Sequence, residues 1–439
     1  MRCRLIPAVL WPDTSEFVLT KTPRVVARPA GKSRSLAREL AAFRQFGTKT
    51  RRLATRVTGQ KKLTVPTFVN EFWTAQQRQA SNLHEISYRA CFKPQLPRFF
   101  IERLTLPGEV VYDPFMGRGT TPIEAALLGR VPFGNDVNPL SQVLTRARLA
   151  PPSLKEISGR LSTIDLKTGG RLPKDLLVFY HRDTLREICA LRKYLMARRE
   201  KGVLDSIDEW IAMVALNRLT GHSPGFFSVY TLPPNQAVSV KSQRKINERR
   251  NQVPPYRDVV KIILKKSNQL LKEMKRQDFA RLASVTDKAR FTTAPADATH
   301  ELPTGSVSLV VTSPPFLDVV DYATDNWLRC WFLGIDSSKV KITIPKKLEV
   351  WQEVMTSVFR ELHRLLKVGG HIAFEVGEVN RGKVKLEEAV ITCGLAAGLE
   401  PLLVMINDQE FTKTANCWGV DNNAKGTNTN RIVVFRKGT

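Results

Sequence analysis

Short runs of β-branched and aliphatic residues recur along the chain, each closed by a residue that stops a strand. VVY at 110–112 runs into Asp-Pro, VPFGNDVN follows at 131–138, and SVSLVVTS at 306–313 ends in Pro-Pro. HIAFEV from 371 and NRIVVFRK from 430 have the same character. Between these runs the apolar spacing changes to that of a helix, over 121–128 with a stop at Gly129, and near 351–366 before a turn at 367–370. Strands alternating with helices predict an α/β fold, a parallel sheet with helices on both faces. Residues 151–290 interrupt that rhythm with long helical patterns such as DTLREICALRKYLMARRE and RDVVKIILKKSNQLLKEMKRQ. A Pro/Gly-marked stretch, GHSPGFFSVYTLPPNQAVSVKSQRK, separates them. Residues 1–62 are weakly patterned apart from a helix-like segment at 35–46, and read as a flexible arm. The expected organisation is therefore an arm over 1–62, sheet segments over 63–150 and 291–439, and a helical insertion over 151–290.

Composition adds a partner class. The chain of 439 residues carries a formal net charge of +27, unevenly placed. Residues 1–60 hold 13 Lys/Arg against 3 Asp/Glu and residues 151–290 hold 28 against 14, whereas 291–439 are balanced at 16 against 17. Clustered positive charge is the footprint of a polyanion-binding surface. An apolar content of 42% argues against wholesale disorder. No apolar run approaches the length of a membrane span, and the N-terminus lacks the features of a signal peptide. The 6 cysteines are scattered with no Cys-x-x-Cys pair, which predicts a cytoplasmic setting and no structural zinc. His181, His363 and His371 have no ligand-spaced partners, so no metal site is expected.

Two constellations carry chemistry. The first is DPFMGRGTT at 113–121, where a strand meets a helix, the point at which open α/β sheets bind nucleotides. Gly117 and Gly119 allow a tight turn and close approach of backbone to ligand. The third glycine of a dinucleotide fingerprint is replaced by Thr120-Thr121-Pro122, and no Gly-Lys-Ser/Thr follows, so a P-loop is disfavoured. Asp136 lies 17 positions after Gly119, where a carboxylate can accept both hydroxyls of a ribose. The second constellation is VTSPPF at 311–316. The Ser313 hydroxyl and the Pro314 carbonyl, stiffened by Pro315, are acceptors suited to an amine, and Phe316 is a flat face for a planar base. Asp297 is expected to close a short strand upstream and to neighbour Ser313 at the strand ends.

VYDPFMGRGTTPIEAALLGRVPFGNDVNP and TSPPFLDVVDY resemble the cofactor-binding and catalytic motifs of the amino-group DNA methyltransferases. The resemblance covers about 85–150 and 291–439 and implies a Rossmann-like class I methyltransferase sheet. It implies S-adenosylmethionine as cofactor, held by Asp113, Phe115, Gly117, Gly119, Thr120, Thr121 and Asp136, with Asp297 at its adenine. It also implies a Ser313-Pro314-Pro315-Phe316 catalytic tetrad, and a looser match puts Phe92 and Pro94 over the methionine part. Serine at the first tetrad position is typical of cytosine-N4 enzymes. The alternatives are adenine N6, an RNA amino-methyltransferase, and a catalytically silent DNA-binding protein. The implied partners are double-stranded DNA and a cognate restriction endonuclease. A base inside a duplex must be flipped out, which requires phosphate clamps around the pocket. Lys241, Arg244, Lys245, Arg249 and Arg250 form a candidate phosphate track, with His222, Tyr230, Asn235 and Gln236 as candidate base readers beside it.

Overall fold

A computed structural model of the chain describes residues 32–57, 63–73, 80–89, 91–168, 170–232, 237–315, 322–336, 340, 345, 347–377, 386–408 and 429–438. The first elements are α1 (Lys32–Ala42), β1 (Arg51–Arg56), β2 (Thr64–Asn70) and α2 (Gln95–Leu104). The glycine-loop unit follows as β3 (Val110–Asp113), α3 (Thr120–Leu127) and β4 (Val131–Asn135). A helical stretch comprises α4 (Leu140–Arg146), α5 (Leu154–Ser162), α6 (Arg182–Glu200), α7 (Ser206–Leu216), α8 (Val240–Arg249), α9 (Val259–Leu271) and α10 (Arg276–Thr286). The chain then returns to the sheet with β5 (Arg290–Thr292), β6 (Val307–Thr312), α11 (Tyr322–Leu333), α12 (Leu348–Leu365) and β7 (Leu366–Val376). It ends with α13 (Leu386–Ala396), β8 (Leu399–Asp408) and β9 (Thr429–Lys437).

Among the described residues the strands form one sheet in the order β1-β2-β8-β9-β7-β6-β3-β4-β5. The strands from β7 through β6, β3 and β4 to β5 are parallel, while β9 runs antiparallel to both β7 and β8. Period-two alternation sorts the side chains between two cores. Val111, Leu309, Val311, Ala373, Met405 and Val434 face a cluster containing α1 and α2. Tyr112, Val310, Ile372, Phe374, Val433 and Phe435 face the opposite cluster, which includes α12 and α13. The α/β expectation with helices on both faces is therefore met.

Three local expectations change. The arm over 1–62 is not flexible throughout, because α1 buries Leu36 and Leu40 and β1 pairs antiparallel with β2, which joins β8. The residues responsible, Leu36, Leu40 and Phe43, lie in the helix-like segment at 35–46 and pack on a face of the sheet. The turn expected at 367–370 is instead the start of β7, a long strand whose first residue pairs with Val307. The helical stretch is continuous with the core of the sheet. Its Ile157, Trp210 and Ile263 share one core with Val310 and Phe374 of the sheet, and α10 leads directly back into β5. Finally, β5 ends at Thr292 and borders β4, so Asp297 closes no strand; β3 and β4 separate β5 from β6. Asp297 lies in an exposed turn beyond β5, on the glycine-loop side of the sheet. A three-residue strand, followed by Thr-Ala-Pro, was too short to register as a separate period.

Candidate active site

The central feature is where β3 and β6 end. They are parallel neighbours, so the glycine loop after Asp113 and the Ser313-Pro314-Pro315 turn after Thr312 emerge side by side at their C-terminal ends. The two ends are joined by side chains. Thr312 Oγ1 donates to Asp113 Oδ1 at 2.6 Å, and Thr121 Oγ1 donates to the Val311 carbonyl at 3.0 Å. Residues 199 apart in sequence are thereby fixed within one hydrogen bond of each other.

The glycine loop is tightly specified. Gly117 and Gly119 both have positive φ, +50° and +77°, the left-handed region that glycine occupies without penalty. A Cβ at Gly119 would come within 2.2 Å of Thr145 Oγ1, and one at Gly117 would lie 3.4 Å from the Tyr88 ring. Asp136, the first residue beyond β4, accepts from Gly117 N–H through Oδ2 at 2.9 Å and from Asn138 N–H through Oδ1 at 2.9 Å. Each carboxylate oxygen keeps a second lone pair, so Asp136 can still receive hydroxyl donors. Asp113 is buried, and its Oδ2 has no hydrogen-bond partner. Burial raises its pKa to about 7, against the opposing pull of the Thr312 hydroxyl and the Phe115 N–H. Burial likewise raises the pKa of Asp136.

Residues outside the motif hold this loop in place. Arg118, the residue between the two glycines, donates to the carbonyls of His84, Ile86 and Phe92 at 3.2, 2.9 and 3.4 Å. Arg148, wholly buried, donates to the carbonyls of Leu83 and Arg118. These contacts strap segment 80–94 over the loop. The strap is further tied to α3 by His84, whose Nε2 is 2.7 Å from Glu124 Oε2, both buried. Asn135 Nδ2 donates to the carbonyls of Pro114 and Ala294, at 3.3 and 2.9 Å, and so joins the glycine loop to the segment that leads to Asp297.

The tetrad is braced from the other side of the sheet. Trp351 of α12, almost fully buried, donates its indole N–H to the Pro315 carbonyl at 3.2 Å. Glu375 of β7 accepts from Asn430 Nδ2 at 2.9 Å and, one pair beyond Thr312 and Phe374 in the β6–β7 register, stands beside Ser313. Phe316 lies outside the described residues, as do Asn235 and Gln236.

The basic residues singled out in sequence share one short helix. Lys241, Arg244, Lys245, Arg249 and Arg250 are all exposed on α8 or at its C-cap. The opposite side of α8 is anchored: Gln243, fully buried, donates to the Tyr230 carbonyl at 3.0 Å, and Asn247 donates to the Val178 carbonyl at 2.8 Å. Arg250 lies 3.8 Å over the Tyr230 ring, a cation–π contact. The segment entering α8 is attached to α11, the helix that follows the tetrad. Ala237 N–H donates to the Asp325 carbonyl at 3.0 Å, and the Trp327 indole donates to the Val238 carbonyl at 3.2 Å.

The residues that the sequence reading overlooked are Arg118, Arg148, Thr145, Trp351 and Glu375. Arg118 alone was visible, as the middle residue of Gly-Arg-Gly; the others lie in ordinary helix or strand patterns. Among the described residues there is no group of His, Cys, Asp and Glu able to hold a metal ion, and no helix is long and apolar enough to cross a membrane.

Comparison with known proteins agrees with this geometry. Residues 37–140 match the family model described as DNA methylase. Type II methyltransferase M.BsoBI of Geobacillus stearothermophilus is 24% identical over 312 residues, covering 63% of this chain and 57% of that protein. Type II methyltransferase M.MvaI of Kocuria varians is 32% identical over 97 residues, covering 21% of this chain and 20% of that one. The chain thus spans little more than half the length of the first of these relatives and a fifth of the second. Among solved structures, TrmN from Thermus thermophilus superimposes with a TM-score of 0.31 at 12% identity, over 81% of this chain and 51% of that one, a likeness too slight to bear on function. In its glycine loop, its Ser-Pro-Pro turn on the neighbouring strand and these matches, the chain is similar to the amino-group DNA methyltransferases.

Proposed function

We propose that the protein transfers a methyl group from S-adenosylmethionine to the exocyclic amine of a base flipped out of double-stranded DNA, with cytosine N4 as the acceptor. The observation that carries this reading is the hydrogen bond between Asp113 and Thr312, which joins a nucleotide-type glycine loop to a Ser-Pro-Pro turn on adjacent parallel strands. The donor set fits the cofactor. Gly117 and Gly119 leave room for close approach, Asp136 keeps lone pairs for ribose hydroxyls, and Asp113 has a buried oxygen without a partner. Phe115, Thr120 and Thr121 complete the loop, and Asp297, on the β5 side, is the candidate for the adenine.

The cofactor supplies a methyl group already activated by its sulfonium, so the chain need not provide a charged nucleophile. The chain's task is orientation. Ser313 and the Pro314 carbonyl accept from the target amine and aim its lone pair, which converts a bimolecular encounter into a fixed geometry. Pro315, braced by Trp351, keeps that turn rigid, and Phe316 stacks the extruded base. The exposed face of α8 grips phosphates through Lys241, Arg244, Lys245, Arg249 and Arg250. Its attachment to α11 couples that grip to the tetrad. Cytosine rather than adenine follows from serine at position 313, the form typical of cytosine-N4 enzymes. The expected cellular partner is a restriction endonuclease of the same recognition site.

The test is incubation with radiolabelled S-adenosylmethionine and duplex DNA, followed by digestion to nucleosides. Label in N4-methylcytosine is the expected result. Label in N6-methyladenine would retain the family reaction and overturn the base assignment. Transfer to tRNA but not to duplex DNA would replace the substrate class, and no transfer to any nucleic acid would refute the reading.

A further inference from the structure

Segment 44–56, RQFGTKTRRLATR, holds five basic residues and no acidic one. It runs from the end of α1 through β1, and among the described residues no strand pairs with the outer edge of β1. Arg44, Lys49, Arg52 and Arg56 are exposed and enter no ion pair among the described residues. Arg51 meets Asp408 at 3.3 Å, with both side chains open to solvent. This segment is not a loose tail. Asn70, the buried last residue of β2, donates through Nδ2 to the Phe43 and Thr48 carbonyls, each at 3.3 Å, and to Thr50 Oγ1 at 2.9 Å. It also accepts from Thr48 Oγ1, and Thr50 Oγ1 donates to the Leu40 carbonyl at 2.7 Å. Arg44 and Lys49 thus stand on a loop already held in one shape, so little ordering is left to be done on binding.

The sheet gives this charge a place. β2 is parallel to β8, β8 and β7 share the antiparallel neighbour β9, and β7 is parallel to β6. The C-terminal end of β2 therefore lies at the same end of the sheet as the Ser-Pro-Pro turn. β1 is antiparallel to β2 with Arg52 opposite Phe68, so its first residues and Lys49 reach that end too. From β6 to β1 there are five inter-strand steps. At about 4.8 Å each they span about 24 Å, and a twist of roughly 20° per step adds only a few ångströms between strand ends. The helical stretch that carries α8 leaves and rejoins the sheet at the opposite edge, after β4 and before β5.

We propose that Arg44, Lys49 and Arg52 form a second phosphate-binding strip, which holds the duplex about seven to eight base pairs to one side of the flipped base. This rests on the DNA methyltransferase reading above and extends the footprint beyond α8. Contacts to phosphates carry no sequence information, so the strip fixes the direction of the duplex and not the recognition site. Basic residues on an edge strand have another use, in keeping it from pairing with a second copy. Arg44 and Lys49 lie off the strand, on the pinned loop, where they guard no edge. Their position favours the duplex.

The experiment compares wild-type protein with the triple variant Arg44→Gln, Lys49→Gln, Arg52→Gln. Binding to a mixed-sequence duplex of about 30 base pairs is titrated with salt, and melting temperature and sedimentation are measured on the same samples. The variant should bind roughly 10- to 100-fold more weakly at about 0.1 M salt, with the slope of log affinity against log salt lower by about 2 to 3. Wild-type affinity and slope in the variant would overturn the proposal, and self-association alongside them would assign the basic residues to guarding the edge. Where the wild-type protein transfers methyl groups, the modified site is mapped by sequencing, and KM for DNA is read on duplexes trimmed to about four base pairs on one side of it. Trimming the strip's side should raise the wild-type KM by about as much as the triple substitution does, and should add nothing to the variant. A substitution effect that persists whichever side is trimmed would overturn the placement. No transfer by wild-type protein would refute the methyltransferase reading, and the salt titration would then decide the strip by itself. If the triple variant fails to fold, Lys49→Gln alone carries the test, with a slope lower by about 1.

Discussion

The two strand ends that form the site are built by opposite means. At the end of β3 the loop is closed by glycines, by Asp136 and by arginine contacts to main-chain carbonyls. Gly117, Arg118, Gly119 and Asp136 lie within 20 positions of one another, and their contacts are largely to main chain. At the end of β6 the turn is held by a side chain from a remote element, Trp351 on α12, and bordered by Glu375 on β7. A loop proposed to admit a cofactor against its backbone depends on the absence of side chains. A turn proposed to aim a hydroxyl and a carbonyl depends on the presence of particular ones. The first end should therefore fail through sterics and stability, the second through rate.

Gly119→Ala is the largest expected break at the cofactor end. It forces a non-glycine residue into positive φ and drives a methyl group into Thr145, together costing about 4 kcal/mol. Calorimetry should find no measurable cofactor binding. Adding Thr145→Ala should restore only the steric share of the stability. Ser313→Ala is the matching break at the tetrad end. It should lower kcat by roughly 10²–10³-fold, with cofactor affinity and melting temperature near wild type. If Ser313→Ala also abolished cofactor binding, the two ends would not be separable and the contrast would fall.

Asp113 sits at the joint and sharpens the contrast through pH. Its folded-state pKa is raised by burial to about 7, from an ordinary 3.8. A raised carboxyl is most favourable when protonated. Its contribution to stability is therefore full below the unfolded pKa and is lost as pH climbs through the folded one. The cofactor-free protein should lose up to about 2 kcal/mol between pH 5 and pH 7 from this group alone, at no more than about 1.4 kcal/mol per pH unit. Urea midpoints at the two pH values should show that difference, and Asp113→Asn should flatten it. Arg118→Ala comes next. It strips donors from three carbonyls of the 80–94 strap, costs about 1.5 kcal/mol, and should weaken cofactor binding without changing kcat at saturation.

What could be read in advance follows the same division. The glycine loop and the Ser-Pro-Pro turn were legible because their chemistry is carried by contiguous residues in a recognisable strand-to-loop setting. The parallel sheet was legible from its β-branched runs. Asp297 was misjudged because β5 is only three residues long and pairs with β4, a fact set by sheet order and not by local pattern. Glu375 was invisible for a related reason. In HIAFEV it looks like the polar position of an alternating strand, and only the register with β6 brings it to Ser313. In the N-terminal segment the helix at 35–46 was legible but β1 was not, because RRLATR has a single large apolar residue and its strand is set by pairing with β2.

The smallest expected effect separates α8 from both strand ends. Arg244 is exposed, with only a 3.7 Å ion pair to the equally exposed Asp175, so Arg244→Ala should leave stability within about 0.5 kcal/mol of wild type. If its role is to neutralise a phosphate, the substitution should reduce the slope of log affinity for DNA against log salt by about 1 and weaken binding similarly on all sequences. kcat at saturating DNA should not move, because the tetrad is braced by Trp351 and not by charge on α8. Arg250 differs. It stacks on Tyr230, next to the main-chain carbonyl that receives Gln243, so Arg250→Ala should also cost stability of about 0.5–1 kcal/mol. Equal behaviour of the two variants would mean that the stacking contact contributes nothing and that α8 acts as a uniform field of charge. Unequal behaviour would make it a shaped surface, with Arg250 fixing where the helix lies and Arg244 only how strongly it is drawn to the duplex.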